Sequence, residues 1–298
     1  MTRSQRDRSH CLRCERNKQK VRHLPLIDSS AAHRSTRSET LVWAIERAYE
    51  GEGGQTWYAA VEIPRSHWLC HPVPDIVPVT LLAEAFRQAG LAICVAGLGM
   101  GQTVHFVVST MTVRLETESL HFPRFGALEG RLEVTFADIG YRKGVPHLLD
   151  VDYVLPGLAS GHVDARILAD RDYQVLRRNA TSLDDEIRDA LSELVDVRER
   201  DGDHIVARLG VNESDPFFFD HPVDHLPGML LFHSAARLHQ NEYGVQPRFL
   251  AIDFPAFGEF RVATSIEADF SPTGAHATFV QGDRTIATAI TDTQPIPR

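Results

Sequence analysis

Glu84, Arg87 and Gln88 interrupt a largely apolar stretch of this 298-residue chain, VTLLAEAFRQAGLAICV, Val79–Val95. Spaced at i, i+3 and i+4, they share one face of a helix. Leu81, Leu82, Ala85, Phe86 and Ala89 surround them and turn that helix inward. A carboxylate in such a setting has its pKa raised by desolvation and can work as a general base or acid, while an adjacent arginine pulls the other way. The plainer alternative is a structural Glu–Arg bridge.

A second concentration of chemistry lies in NESDPFFFDHPVDHLPGMLL, Asn212–Leu231. His221 and His225 sit in a Pro-rich turn just before a helical pattern, and Gly228 lets another backbone or a ligand approach. The N–H groups at a helix start are open to a carbonyl or phosphate oxygen. A histidine placed there is either an acid or base or a satisfied structural residue. Phe217, Phe218 and Phe219 suit a core or a substrate wall.

The two clusters are copies of one plan. HPVPDIVPVTLLAEAFRQ, His71–Gln88, and HPVDHLPGMLLFHSAARL, His221–Leu238, each run from His-Pro-Val through an irregular turn into a helix. An ungapped offset pairs Leu81 with Leu231 and Arg87 with Arg237. Deleting one residue after the His-Pro-Val pairs Asp75 with Asp224, Pro78 with Pro227 and Leu81-Leu82 with Leu230-Leu231.

The elements that must position these residues follow from periodicity. Thr56–Pro64, Thr103–Leu115, Gly130–Ile139, His147–Leu155 and Gly161–Ala169 read as strands, with Leu132, Val134 and Phe136 alternating against Glu133 and Thr135. Thr40–Tyr49 allows a strand or a short helix. Arg177–Asp203 reads as a solvated helix or connection. In the second half His204–Val211 is a strand, Met229–His239 the helix, and Arg248–Phe257, Glu259–Phe270 and Ala275–Thr291 the returning strands. The expected class is α+β, a central helix wrapped by an antiparallel sheet in each of two tandem units. The expected units are 26–168 and 169–298, preceded by a basic, disordered tail over 1–25.

Composition narrows the partners. Residues 1–37 hold ten Lys and Arg against three acids, so of the net −9 the remainder carries −16 and has no general affinity for nucleic acid. No stretch reads as a membrane span or a signal peptide, and four cysteines are too few for a disulfide framework. These point to a cytoplasmic protein. His10, Cys11, Cys14 and His23 offer metal-binding side chains, yet no second clear ligand pair follows the C-x-x-C, and no metal site is expected.

PFFFDHPVDHLPGMLL resembles the turn-and-helix signature of the hotdog dehydratases of fatty acid synthesis. DHPVDHLPGMLL together with LLAEAFRQAG more closely resembles the A-factor biosynthesis (AfsA-type) hotdog family, from about residue 33 to the C-terminus. That resemblance implies a tandem, or double, hotdog that transfers a β-ketoacyl group from acyl carrier protein or a coenzyme A thioester to the hydroxyl of dihydroxyacetone phosphate. No cofactor is implied, and a homodimer is compatible with it. The family carries Glu-Ala-x-Arg-Gln on both central helices. Glu84, Arg87 and Gln88 match it in the first; the second has His233 or Ser234 at the carboxylate position, depending on the register.

The resemblance therefore implies one site centred on Glu84. Glu84 is expected as general base, Arg237 or Arg87 as the group binding phosphate or oxyanion, and Gln88, His221, His225, Gly228, His233 and Ser234 around the substrate. Phe86 or Phe232 would line an acyl channel. A dehydratase or thioesterase using His221 or His225, and a non-catalytic acyl binder, are the competing expectations.

Overall fold

The computed structural model describes residues 26–51, 54–70, 75–101, 104–142, 145–180 and 193–294. The expected tail with Cys11 and Cys14, and the first His-Pro-Val at 71–73, lie outside them. The alternating stretches form twelve strands: β1 Val42–Gly51, β2 Gly54–Ile63, β3 Val104–Leu115, β4 Leu128–Arg142, β5 Val145–Leu155, β6 Ala159–Ala169, β7 Val195–Asp201, β8 His204–Leu209, β9 Phe249–Asp253, β10 Ser265–Phe270, β11 Gly274–Gln281 and β12 Arg284–Asp292. Among the described residues three α-helices accompany them: α1 Val79–Ala92, α2 Asp170–Leu176 and α3 Gly228–Tyr243.

Thr40–Tyr49 resolves as strand. The charged run Arg177–Asp203, expected as helix or connection, contains β7 instead; this edge strand buries little beyond Val195, so its sequence carries almost no apolar alternation. Glu259–Phe270 is strand only from Ser265, and Arg248–Phe257 only over β9.

All twelve strands join one antiparallel sheet in the order β1-β2-β4-β5-β6-β3-β9-β12-β11-β10-β8-β7. The order of β7–β12 repeats that of β1–β6, and the two sets meet where β3 pairs with β9, Thr110 against Asp253 and Arg114 against Phe249. Each set sends its long helix out after its second strand, and α1 packs against α3.

α1 is apolar nearly all round, as a helix enclosed on every side must be. Arg87 alone among its residues is not fully buried. With the π-turn that continues it, Val79–Gly97 has the length and composition of a membrane span, at a mean hydropathy of 1.4, but it lies mostly buried within the protein.

The helix starts settle the register of the repeat. Pro78 O accepts from Leu81 and Leu82 N–H, and Pro227 O accepts in the same way from Leu230 and Leu231. Pro78 thus corresponds to Pro227, and the one-residue deletion falls in the turn rather than in the helix. Glu84 then matches His233, Arg87 matches Ala236 and Gln88 matches Arg237.

Candidate active site

Glu84 is fully buried in α1 and is held as an ion between two arginines. Arg87, one turn on, donates Nε to Oε2 and Nη2 to Oε1, each at 2.8 Å. Arg34, from the segment before β1, donates Nε to Oε1 at 2.9 Å, and Gln88 Nε2 reaches the same oxygen at 2.7 Å. Burial pushes the Glu84 carboxyl up, but the charges of Arg87 and Arg34 and these hydrogen bonds outweigh it and bring the pKa down to about 2.

A carboxylate with that pKa and its oxygens already this heavily engaged is a poor proton acceptor. The general-base role expected of Glu84 does not fit this environment. The carboxylate instead fixes two guanidiniums, and the buried Asp220 carboxylate, which also acts on Arg87, is the second negative charge beside them.

The second half supplies the opposite wall. Arg34 Nη1 donates to Phe217 O at 2.6 Å, and Asp220 accepts from Ser35 N–H at 2.5 Å and Thr36 Oγ1 at 2.9 Å. These bonds dock the loop before α3 onto residues 34–36. They bring His221 against His33, with ring centroids 4.6 Å apart. Desolvation first, and then the charges of Arg87 and Arg34, lower the pKa of His221 below its ordinary value, and His33 is lowered in the same way with His221 as a further cause. His221 is neutral at physiological pH, and its Nδ1 is buried without a hydrogen-bond partner.

Arg87 spends Nε and Nη2 on Glu84, and no acceptor for its Nη1 is found among the described residues. Arg87 also lines a narrow apolar cleft of about 40 Å³, together with Gly90, Leu91, Cys94, Phe136 and Tyr153 among others. Val108 lines both this cleft and a larger cavity of about 510 Å³ bordered by Val107, Leu176, Phe254 and Phe257. Neither Phe86 nor Phe232, expected in a channel wall, lines the cleft; both are core side chains.

The other expected residues lie apart from this cluster or are used up by the fold. Gln88 is fully buried, donating to Glu39 O and Glu84 and accepting from Leu41 and Val42 N–H, which ties α1 to the start of β1. Arg237 donates to Gln240 on its own helix and shares no partner with Glu84. His233 accepts or donates at Thr80 Oγ1, 2.9 Å away on α1, and Ser234 Oγ donates to Leu230 O inside α3. His225 binds Asp224, which also takes Tyr173 and Arg177. At Gly228 the neighbour is the Phe254 ring, not open space.

At the start of α1 the Val79 N–H is not open to a ligand. It donates to Gln246 Oε1 at 2.9 Å, while Gln246 Nε2 donates to Val77 O.

Arg34, His33, Asp220 and Tyr153 belong to the site and were not singled out from sequence. Arg34 and His33 come from an irregular segment with no periodic pattern, and only the docking of the two halves brings them to α1. A His at positive φ, 55°, is the one local oddity of that segment.

Residues 16–153 and 188–238 match the A-factor biosynthesis hotdog domain. A 2-oxo-3-(phosphooxy)propyl 3-oxoalkanoate synthase of Streptomyces coelicolor is 26% identical over 239 residues, which is 74% of this chain and 76% of that protein. A protein of the same name from Streptomyces griseus is 28% identical over 235 residues, 73% of this chain and 78% of its own. Among solved structures, a putative oleoyl thioesterase from Lactobacillus plantarum superposes with a TM-score of 0.57 at 10% identity, covering 84% of this chain and all of its own. An acyl-ACP thioesterase from Bacteroides thetaiotaomicron gives 0.50 at 10% identity, over 79% of this chain and 97% of its own. The likeness in these two is one of fold, and the fold is of the hotdog kind.

Proposed function

The chain belongs to the A-factor biosynthesis hotdog family, and on that premise we propose that it is an acyltransferase moving a 3-oxoacyl group from a thioester to the hydroxyl of dihydroxyacetone phosphate. The observation that carries this reading is His221, its pKa lowered by burial and by two arginines, beside the Arg34–Glu84–Arg87 cluster, whose Arg87 also lines an apolar cleft. The Arg87 guanidinium can take an anionic oxygen of the acceptor or of the reacting carbonyl, and such a cleft accepts an acyl chain.

The chemistry divides among this chain's own groups. His221 takes the proton of the acceptor hydroxyl as its oxygen bonds to the thioester carbonyl carbon. The oxyanion that develops accepts a hydrogen bond from Arg87 Nη1, which is held in place by Glu84. The C–S bond then breaks, and the leaving thiolate recovers the proton from the His221 imidazolium. Glu84 positions Arg34 and Arg87. The acyl tail lies along the cleft past Gly90 towards Val108 and the larger cavity, and widens it as it enters.

On this reading the chain is a tandem hotdog, 26–168 and 169–298, in which each half contributes to one shared site. The matching strand orders and the seam between β3 and β9 support it. The protein works in the cytoplasm on thioesters of acyl carrier protein or coenzyme A.

The test is a purified assay offering a 3-oxoacyl thioester with and without dihydroxyacetone phosphate. The expected result is thiol release that requires the acceptor, with the phosphorylated ester as product. Acceptor-independent release of free acid would make it a thioesterase, dehydration of a 3-hydroxyacyl thioester a dehydratase, and tight binding without turnover an acyl binder.

A further inference from the structure

Tyr153 on β5 is almost completely buried, yet no hydrogen bond to its hydroxyl is found among the described residues. Its ring stacks flat on Phe86 of α1, centroids 5.2 Å apart and planes within 4°. Two glycines make room for that stack. A Cβ on Gly161 would collide with the Phe86 ring, and a Cβ on Gly90 would overlap the Tyr153 hydroxyl oxygen itself.

Gly90 lies in the interior of α1, where glycine is less favourable than alanine. That cost has a local return, because only glycine lets the phenol oxygen come up against the helix. Gly90, Tyr153 and Arg87 all line the same cleft, and Arg87 and Tyr153 are close enough to perturb each other's titration.

The hydroxyl oxygen is not sealed in the core: it opens on the cleft that Tyr153 lines, where a bound molecule can reach it. Most of the cleft wall is carbon, from Leu91, Phe106, Phe136, Leu149, Val151 and Val163, and the Cys94 thiol near the phenol is only a weak acceptor. Burial raises the phenol far above its ordinary pKa, so it remains a donor at every working pH.

We propose that Tyr153 is the residue that selects a 3-oxoacyl chain, its hydroxyl donating to the 3-oxo oxygen while Arg87 faces the thioester oxygen. The two carbonyls of such a chain are one methylene apart, and the two donors lie within about one helical turn, Arg87 and Gly90 being three residues apart on α1. A saturated chain leaves the hydroxyl unpaired and is rejected for that reason, as sites built to hydrogen-bond a substrate group reject analogues that lack it. This inference rests on the acyl-thioester reading of the cleft given above.

The test uses binding, so that it stands apart from turnover. Non-hydrolysable amide analogues of medium-chain 3-oxoacyl and saturated acyl pantetheine, equal in length, are titrated against the full chain and against Tyr153→Phe. The wild type is expected to favour the 3-oxo ligand by at least about tenfold, and Tyr153→Phe to lose most of that preference. The variant keeps the ring on Phe86 and sheds an unpaired hydroxyl, so its melting temperature should hold or rise; a merely structural Tyr153 would lower it. Gly90→Ala, which displaces the hydroxyl, should lose the preference as well.

Equal binding of the two ligands by the wild type, or an undiminished 3-oxo preference in Tyr153→Phe, overturns the assignment. A wild type that prefers the 3-oxo ligand but transfers nothing to dihydroxyacetone phosphate sinks the acyltransferase reading and leaves the role of Tyr153 standing.

Discussion

Arg34 and Glu84, fifty residues apart in sequence, form an ion pair in which neither side chain is meaningfully exposed. The guanidinium completes itself on Phe217 O from the other half of the chain, and the carboxylate completes itself on Arg87 and Gln88. A buried pair of this kind adds little net stability compared with an apolar replacement, but removing one member leaves the other charged, desolvated and unpaired. Its value lies in geometry: it fixes the only partly exposed residue of α1, Arg87, in the lining of the cleft.

The first prediction concerns pH. A base that must be neutral to accept a proton gives an acid limb at its own pKa, and His221 is depressed below the ordinary value of 6.5. Transfer activity should therefore be flat at neutral pH and fall on acidification below 6.5. If Glu84 were the base, the limb would lie near about 2, its own pKa. A kcat/KM profile distinguishes the two, and His221→Ala should reduce kcat by about 10²–10⁴-fold with the fold intact.

The second concerns Glu84→Gln. The isosteric amide cannot offset two guanidiniums, so unfolding in urea should shift by about 3–5 kcal/mol at neutral pH. The sign with pH follows from the depressed carboxyl: the stabilisation by Glu84 is fully present above its ordinary 4.5 and is lost as pH falls through about 2. The wild-type advantage over Glu84→Gln should shrink across that window. A constant difference from pH 7 down to pH 3 would mean that the carboxylate charge is not what stabilises the cluster.

Much of this architecture is legible in the sequence, and the limits of that legibility have physical causes. Leu128, Leu132, Val134 and Phe136 announce β4 because one face of the strand is packed and the other wet. Glu84, Arg87 and Gln88 announce a shared helix face because contacts at i+3 and i+4 are local. Arg34 and His33 announce nothing, since their meaning arises only when residues 34–36 dock on the loop before α3. Gln88 illustrates the reverse failure: its spacing suits a ligand, but its amide is consumed by the backbone of Glu39, Leu41 and Val42. The register of the repeat needed the Pro78 and Pro227 carbonyls, because leucine pairs alone fit both alignments.

The third prediction follows from Gln246, which caps α1 from the far half of the chain. Its amide satisfies Val79 N–H and Val77 O together. Gln246→Ala leaves both groups without that partner and should cost about 1–3 kcal/mol. Hydrogen exchange at Val79 should accelerate relative to the middle of α1, since a helix end opens locally once its cap is gone. Unchanged protection there would show that the cap contributes nothing.

The last prediction concerns the position in α3 that matches Glu84. His233 occupies the position in α3 that Glu84 occupies in α1, and it is bound to Thr80 across the contact between the two helices. Desolvation and the charge of Arg237 push its pKa down to about 3, so it sits neutral. The positions matching Arg87 and Gln88 are Ala236 and Arg237, and Arg237 is turned to Gln240. His233→Glu would therefore restore the carboxylate without the two guanidiniums that stabilise Glu84. The variant should be less stable than the wild type and show no second binding equivalent for the 3-oxoacyl analogue. A double variant, His233→Glu with Ala236→Arg, places the two groups at i and i+3 and should recover part of the lost stability through that pair. If His233→Glu alone produced a second equivalent, the loss of the carboxylate rather than the loss of the arginine pair would be what silences the second half.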